Sequence, residues 1–134
     1  MLKTYHGSCH CQRVRFSAEL DLASGTGKCN CSFCAKARFW GKMTGPEALQ
    51  VQAGAEELSS YRFGSGRVEH LFCRHCGIRP FSRGDVEEIG GAFVSINLAC
   101  LDDLGPAELL DAPVTYFDGL HDSWPETPAE TRHL

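Results

Sequence analysis

The sequence predicts an all-β protein with short helical turns, folded as one domain over residues 1–134. Three observations predict it. Short runs of β-branched and aromatic residues recur along the chain, and in the clearest, Arg13 to Leu20, apolar and polar residues alternate. Turn signals such as Gly64-Ser65-Gly66 separate those runs. Seven of the eight cysteines are gathered at C-x-C and C-x-x-C spacing, the pattern of a metal-stapled fold.

Residues 2–20 read as two strands flanking Cys9 and Cys11. In the second strand Val14, Phe16, Ala18 and Leu20 face one way, and Arg13, Arg15 and Glu19 face water. Gly7-Ser8 gives the backbone freedom to turn both thiols toward one ion. Residues 21–27 form a loop leading to the central cysteines, and Ser32 to Arg38 forms a helical turn with Ser32 as its cap. Phe39 and Trp40 supply core or pocket wall ahead of a loop through Gly45-Pro46. Strands follow at Leu49 to Gln52 and Ser60 to Phe63.

Val68 to Phe72 is a strand running into Cys73-Arg74-His75-Cys76-Gly77, a knuckle whose glycine permits the tight turn. Ile78 to Ser82 returns as its hairpin partner, where Pro80 predicts an edge position or a bulge. Ala92 to Leu98 is the most hydrophobic strand. Asp102 to Leu110 reads as a loop with one helical turn, broken by Gly105-Pro106, and Val114 to Phe117 as the last strand. His121 to Leu134 is an irregular tail draped over the body, with Trp124, like Phe39 and Trp40, as core.

A chain of 134 residues suits one domain and buries roughly two thirds of its unfolded surface. Hydrophobic residues at 43% and charged residues at 22% are those of an ordinary globular protein. No apolar run reaches the roughly 18 residues of a membrane span, and Met1 to Gly7 has no signal-peptide core. The expected location is cytoplasmic, with no membrane partner. A net charge of −4 offers no global attraction for nucleic acid.

In a reducing compartment clustered thiols point to metal or redox chemistry rather than to disulfides. Cys9, Cys11, Cys73 and Cys76 add up to the four ligands of a closed structural zinc site. Cys29, Cys31 and Cys34 supply three, the protein-ligand count of a catalytic zinc with one open position. The triplet closes instead if Cys100, His6, His10, His70 or His75 joins it, and an iron–sulfur cluster is a further alternative. Arg13, Lys36, Arg38, Arg62, Arg67, Arg74, Arg79 and Arg83 are candidates for binding the carboxylates of an anionic thiol, or are solvated surface charges.

The stretches Gly7-Ser8-Cys9-His10-Cys11, Cys29-Asn30-Cys31-Ser32-Phe33-Cys34-Ala35-Lys36 and Cys73-Arg74-His75-Cys76-Gly77 together resemble the glutathione-dependent formaldehyde-activating enzyme family, also called the Gfa or centromere-protein-V-like domain. The ending Tyr116 to Trp124 is similar to the family's as well, so the resemblance spans nearly the whole chain. It implies a β-tent fold with two zinc ions. Cys9, Cys11, Cys73 and Cys76 would hold the structural ion, and Cys29, Cys31 and Cys34 the catalytic one. The implied activity is condensation of glutathione with formaldehyde to S-hydroxymethylglutathione, classed as a carbon–sulfur lyase for the reverse direction. Gln12 stands where a glycine commonly follows the first pair, a change in a loop rather than at a ligand.

The chemistry is independently reasonable, because metal coordination deprotonates a thiol that is otherwise mostly protonated at neutral pH. Three thiolates outweigh a zinc dication, which suits the centre to delivering a thiol better than to activating water. His10, Ser32 and a bound water are candidates for the general acid. The competing functions are a non-catalytic zinc-stabilised binding module and a glutathione carrier.

Overall fold

The computed structural model describes residues 1–134. In chain order the elements are β1 (Lys3–Ser8), β2 (Arg15–Leu20), β3 (Thr26–Cys29), α1 (Ser32–Ala37), β4 (Trp40–Thr44), β5 (Leu49–Ala53), β6 (Leu58–Tyr61), β7 (Val68–Cys73), β8 (Phe81–Val86), β9 (Gly91–Asn97), α2 (Pro106–Asp111) and β10 (Val114–Phe117). Single 3-10 turns join several of them, so the protein is mostly sheet with short helical turns, as the patterning predicts.

The strands form two sheets. The smaller has the order β1-β2-β5, and the larger β10-β3-β4-β9-β8-β7-β6. Every pairing is antiparallel except that of β10 with β3. The sheets share one core. Tyr5, Phe16, Ala18 and Leu20 of the smaller sheet meet Leu71, Phe81, Val94 and Ile96 of the larger. Phe16 and Phe81 cross edge to face with ring centroids 5.4 Å apart, a geometry that adds about 0.5–1.5 kcal/mol to the area they bury. The apolar face read from Arg13 to Leu20 is fully inside: Val14, Phe16, Ala18 and Leu20 are all buried.

Three local expectations are corrected. Residues 21–27 are not a loop throughout, because Thr26 opens β3, whose pairing partner β10 lies far along the chain at Val114–Phe117. No local pattern announces such a parallel pairing. The segment after Phe39 is likewise a strand, β4, set between β3 and β9 in the larger sheet. Pro80 lies just before β8 rather than inside an edge strand, so its missing N–H disturbs no ladder bond and β8 sits between β7 and β9. The helical turn expected within Asp102 to Leu110 is α2, which Pro106 begins, since the first helical position needs no N–H donor.

α2 is tied to the smaller sheet by Tyr5, whose buried hydroxyl donates to the Glu108 carboxylate, with Lys3 Nζ 3.4 Å from the same group. Burial, reinforced by the Glu108 charge, pushes the Tyr5 phenol up to about 12 from its ordinary 10.0. The folded chain therefore keeps a proton there that the unfolded chain releases. The resulting stability is complete below pH 10 and is lost as pH rises toward about 12. Urea midpoints at pH 9 and pH 11 should fall less for Tyr5→Phe than for the wild type, from a starting point lower by about 1 kcal/mol for the lost hydrogen bond.

Candidate functional site

Cys9, Cys11, Cys73 and Cys76 converge, with all four sulfurs within 4.8 Å of one another. Cys9 and Cys11 lie in the β1–β2 connection of the smaller sheet, whereas Cys73 ends β7 of the larger. The cluster thus staples the two sheets together. Cys9 Sγ is 3.6 Å from Cys11 Sγ, which is 3.7 Å from Cys73 Sγ. Sulfurs placed roughly 2.3 Å from a tetrahedral zinc are about 3.8 Å apart, so the donor set fits the ion. No cysteine of the chain is in a disulfide.

The backbone turns tightly around these four thiols. Gly77 takes φ +78° and its N–H donates to the Cys73 carbonyl at 2.8 Å, closing the knuckle that the sequence predicts. Gln12 adopts φ +65°, the left-handed conformation that glycine reaches without strain, which explains why a glycine suits the position after the first pair. The N–H groups of Val14 and His75 each point at a sulfur, Cys9 and Cys73, at 3.4 Å. Glu57 clamps the knuckle from outside, accepting from Arg74 Nε at 2.8 Å and lying 2.5 Å from His75 Nε2. Burial pushes Cys9 up to about 11. For Cys76 burial acts the same way, but hydrogen bonds from the Cys11 and Ile78 N–H groups and from the Cys73 and Cys9 thiols together bring it down to about 6.

Cys29, Cys31 and Cys34 also converge, their sulfurs within 4.8 Å of one another. Cys29 ends β3, Cys31 precedes α1, and Cys34 lies in its first turn. The cap of α1 is Cys31 rather than the expected Ser32: the Cys34 N–H donates to Cys31 Sγ at 3.3 Å, and Ser32 becomes the first helical residue. The Cys31 N–H in turn donates to Cys29 Sγ at 3.2 Å. Hydrogen bonds from the other two thiols, joined by the N–H groups of Cys34 and Phe33, hold Cys31 far below the ordinary thiol range. The same contacts raise Cys29 and Cys34, so Cys31 is the sulfur of the triplet that ionises first.

None of the proposed fourth ligands joins the triplet. Buried Cys100 sits 3.8 Å from the Arg79 carbonyl, His6 pairs with Asp103 at 3.0 Å, His75 belongs to Glu57, and His10 is exposed. His70 is buried at 6% exposure, its ring 4.1 Å from that of Phe33. It lies on the face of β7 opposite core residue Leu71, so aromatic rings rather than the core cover it. Among the basic candidates Arg79 is the one set against the triplet, where the Cys34 and Cys31 sulfurs oppose the loss of its charge that burial favours. Arg62, Arg67 and Arg74 are paired with Glu69, Glu88 and Glu57.

The tail reaches this site. Asn30 donates to Asp118 at 3.0 Å and accepts from the Leu120 N–H at 2.9 Å, fastening the loop between two cysteines to the chain end. A side chain at Gly119 would meet Cys29 Sγ at 2.7 Å and the Trp124 ring at 2.6 Å. Trp124, expected in the core, is therefore a half-exposed wall beside Cys29, hydrogen-bonded to Asp122 at 2.9 Å. Between α1 and the tail is a cavity of about 470 Å³ whose lining includes Asn30, Lys36, Asp118, His121 and His133. Sequence reasoning missed Asn30 and Gly119. Their only signal was position: one between two cysteines, the other in the turn after β10.

Two thiol clusters on a paired-sheet scaffold, one with four sulfurs and one with three, define a class of β-sheet proteins whose cysteines could hold metal ions. A family model described as glutathione-dependent formaldehyde-activating enzyme matches residues 4–117, and the chain belongs to that family. Among solved structures it is similar to the crystal structure of a Rhodobacter sphaeroides protein, at 32% sequence identity and a TM-score of 0.70, over 82% of this chain and 99% of that one. No helix is long and apolar enough to cross a membrane.

Proposed function

We propose that this chain is a zinc-dependent enzyme of the carbon–sulfur lyase type, joining a small thiol such as glutathione to an aldehyde such as formaldehyde. The observation that carries it is the triplet with no fourth donor, beside a four-sulfur cluster that has its full set. Cys29, Cys31 and Cys34 would hold the catalytic zinc, and Cys9, Cys11, Cys73 and Cys76 a structural one, giving two ions per chain. Zinc bound at the triplet supplies deprotonation and positioning of an incoming thiol.

The chain's own residues set the rest. The low-lying Cys31 and the N–H groups around it favour the thiolate form that a metal requires. Asn30 ties the loop between Cys29 and Cys31 to Asp118 and Leu120, and Gly119 leaves the room that the Cys29 sulfur and the Trp124 ring take up. Thiol sulfur adds to the carbonyl carbon, a C–S bond forms as the C=O π bond opens, and the oxygen gains a proton to give the hydroxyalkyl thioether.

Native mass spectrometry should find two zincs per chain. Exchange of labelled formaldehyde with its glutathione adduct, followed by NMR, should be faster with the protein than without. Thiol binding with no gain in rate would instead identify a carrier, and a single zinc with no thiol binding would identify a binding module.

A further inference from the structure

Three buried side-chain nitrogens in the molecule have no hydrogen-bond partner: Nδ1 of His70, and Nε and Nη1 of Arg79. They belong to two residues that flank one ring. Phe33, between Cys31 and Cys34, has the His70 ring 4.1 Å away and the Arg79 guanidinium carbon 4.6 Å from its centroid. Phe39 lies 4.1 Å from the same guanidinium, and Phe63 stacks 5.3 Å from His70. No aspartate or glutamate pairs with Arg79. Its backbone is nevertheless fixed, since Asn97 Nδ2 donates to its carbonyl at 2.9 Å and Pro80 follows it. Aromatic walls lower the local dielectric, so donors left without acceptors here are costly, and an anion that meets them is bound strongly.

We propose that Arg79, with His70 beside it, receives an oxygen anion of the substrate. The anion is either the alkoxide formed as sulfur adds to the aldehyde or a carboxylate carried by the thiol. This rests on the reading of the triplet as a thiol site. The sulfurs alone do not account for the arrangement, because Arg79 faces them and still has two nitrogens without acceptors. In the addition, a sulfur lone pair makes the C–S bond and the π pair moves to oxygen. That oxygen accepts N–H hydrogen bonds from Arg79 until water protonates it. The guanidinium keeps its proton throughout.

Titration calorimetry on the zinc-loaded protein, with mercaptoacetate and mercaptoacetamide, separates the possibilities. The wild type should bind mercaptoacetate about tenfold or more tightly than the amide. Arg79→Gln should lose that preference while binding the amide unchanged, and Arg79→Lys, a second variant that keeps the charge beside Phe33, should retain part of it. Equal wild-type affinities overturn the anion site and leave the thiol site standing, whereas no binding of either thiol overturns the thiol site itself. The source of the anion follows from kinetics with glutathione and with 2-mercaptoethanol. A fall in kcat of about a hundredfold with both thiols marks the alkoxide, and a rise in KM for glutathione alone marks the carboxylate. Unchanged kinetics with both thiols overturn the proposal.

Discussion

Cys76→Ser is expected to unfold the protein and release the zinc proposed for the four-sulfur cluster. The cluster joins the β1–β2 connection to the end of β7, segments 62 residues apart at Cys11 and Cys73. Bringing such distant segments together costs loop entropy, which a zinc held by the four sulfurs would offset. Structural zinc in small domains contributes roughly 10–16 kcal/mol of apparent binding free energy, against a net stability of about 5–15 kcal/mol for a whole domain. At the cluster itself Cys9, Val14 and Cys73 form a three-residue satellite beside the main core that the two sheets share. Removal of one ligand also leaves three buried or half-buried sulfurs without their counter-ion. Far-UV circular dichroism and metal analysis of the purified variant check this. A soluble, folded product with its full zinc content would show that the cluster is not the staple described above.

The parts of this molecule that were legible in the sequence are those with local causes. The alternation at Val14, Phe16, Ala18 and Leu20 predicts a buried strand face because a strand repeats every two residues, and the core confirms it. The knuckle was legible because Gly77 follows two thiols, and its positive φ is what that turn requires. β3 and β4 were not, because besides each other they pair with β10 and β9 far along the chain, and they carry short, mixed patterns of their own. The grouping of seven cysteines into a four and a three was legible from spacing, and the fold brings each group together. Arg79 could not be singled out among eight basic residues, because what distinguishes it is the company of Phe33, Phe39 and two sulfurs, all supplied by folding. Trp124 looked like core for the related reason that a large aromatic in an irregular tail gives no sign of which surface it covers.

Cys31→Ser should behave in the opposite way to Cys76→Ser, abolishing turnover while the fold survives. The triplet lies within one β3–α1 segment of six residues, so it closes no long loop and joins no two sheets. Its contribution to the fold is chiefly the cap that Cys31 Sγ provides to the Cys34 N–H at 3.3 Å. Serine is among the preferred N-cap residues, so this substitution preserves the cap and removes the thiolate. The melting temperature should move by only a few degrees, corresponding to less than about 1 kcal/mol. Metal content should fall by one zinc per chain, and the rate of adduct formation should drop at least about a hundredfold, to the background of thiol and aldehyde in water. Cys31→Ala supplies the internal control. It loses the cap as well as the thiolate, so it should be as inactive as the serine variant and less stable by about 1 kcal/mol. Should both variants unfold alike, the triplet is a second staple and the open-site reading fails. A folded serine variant that still turns over substrate would place the chemistry elsewhere in the molecule.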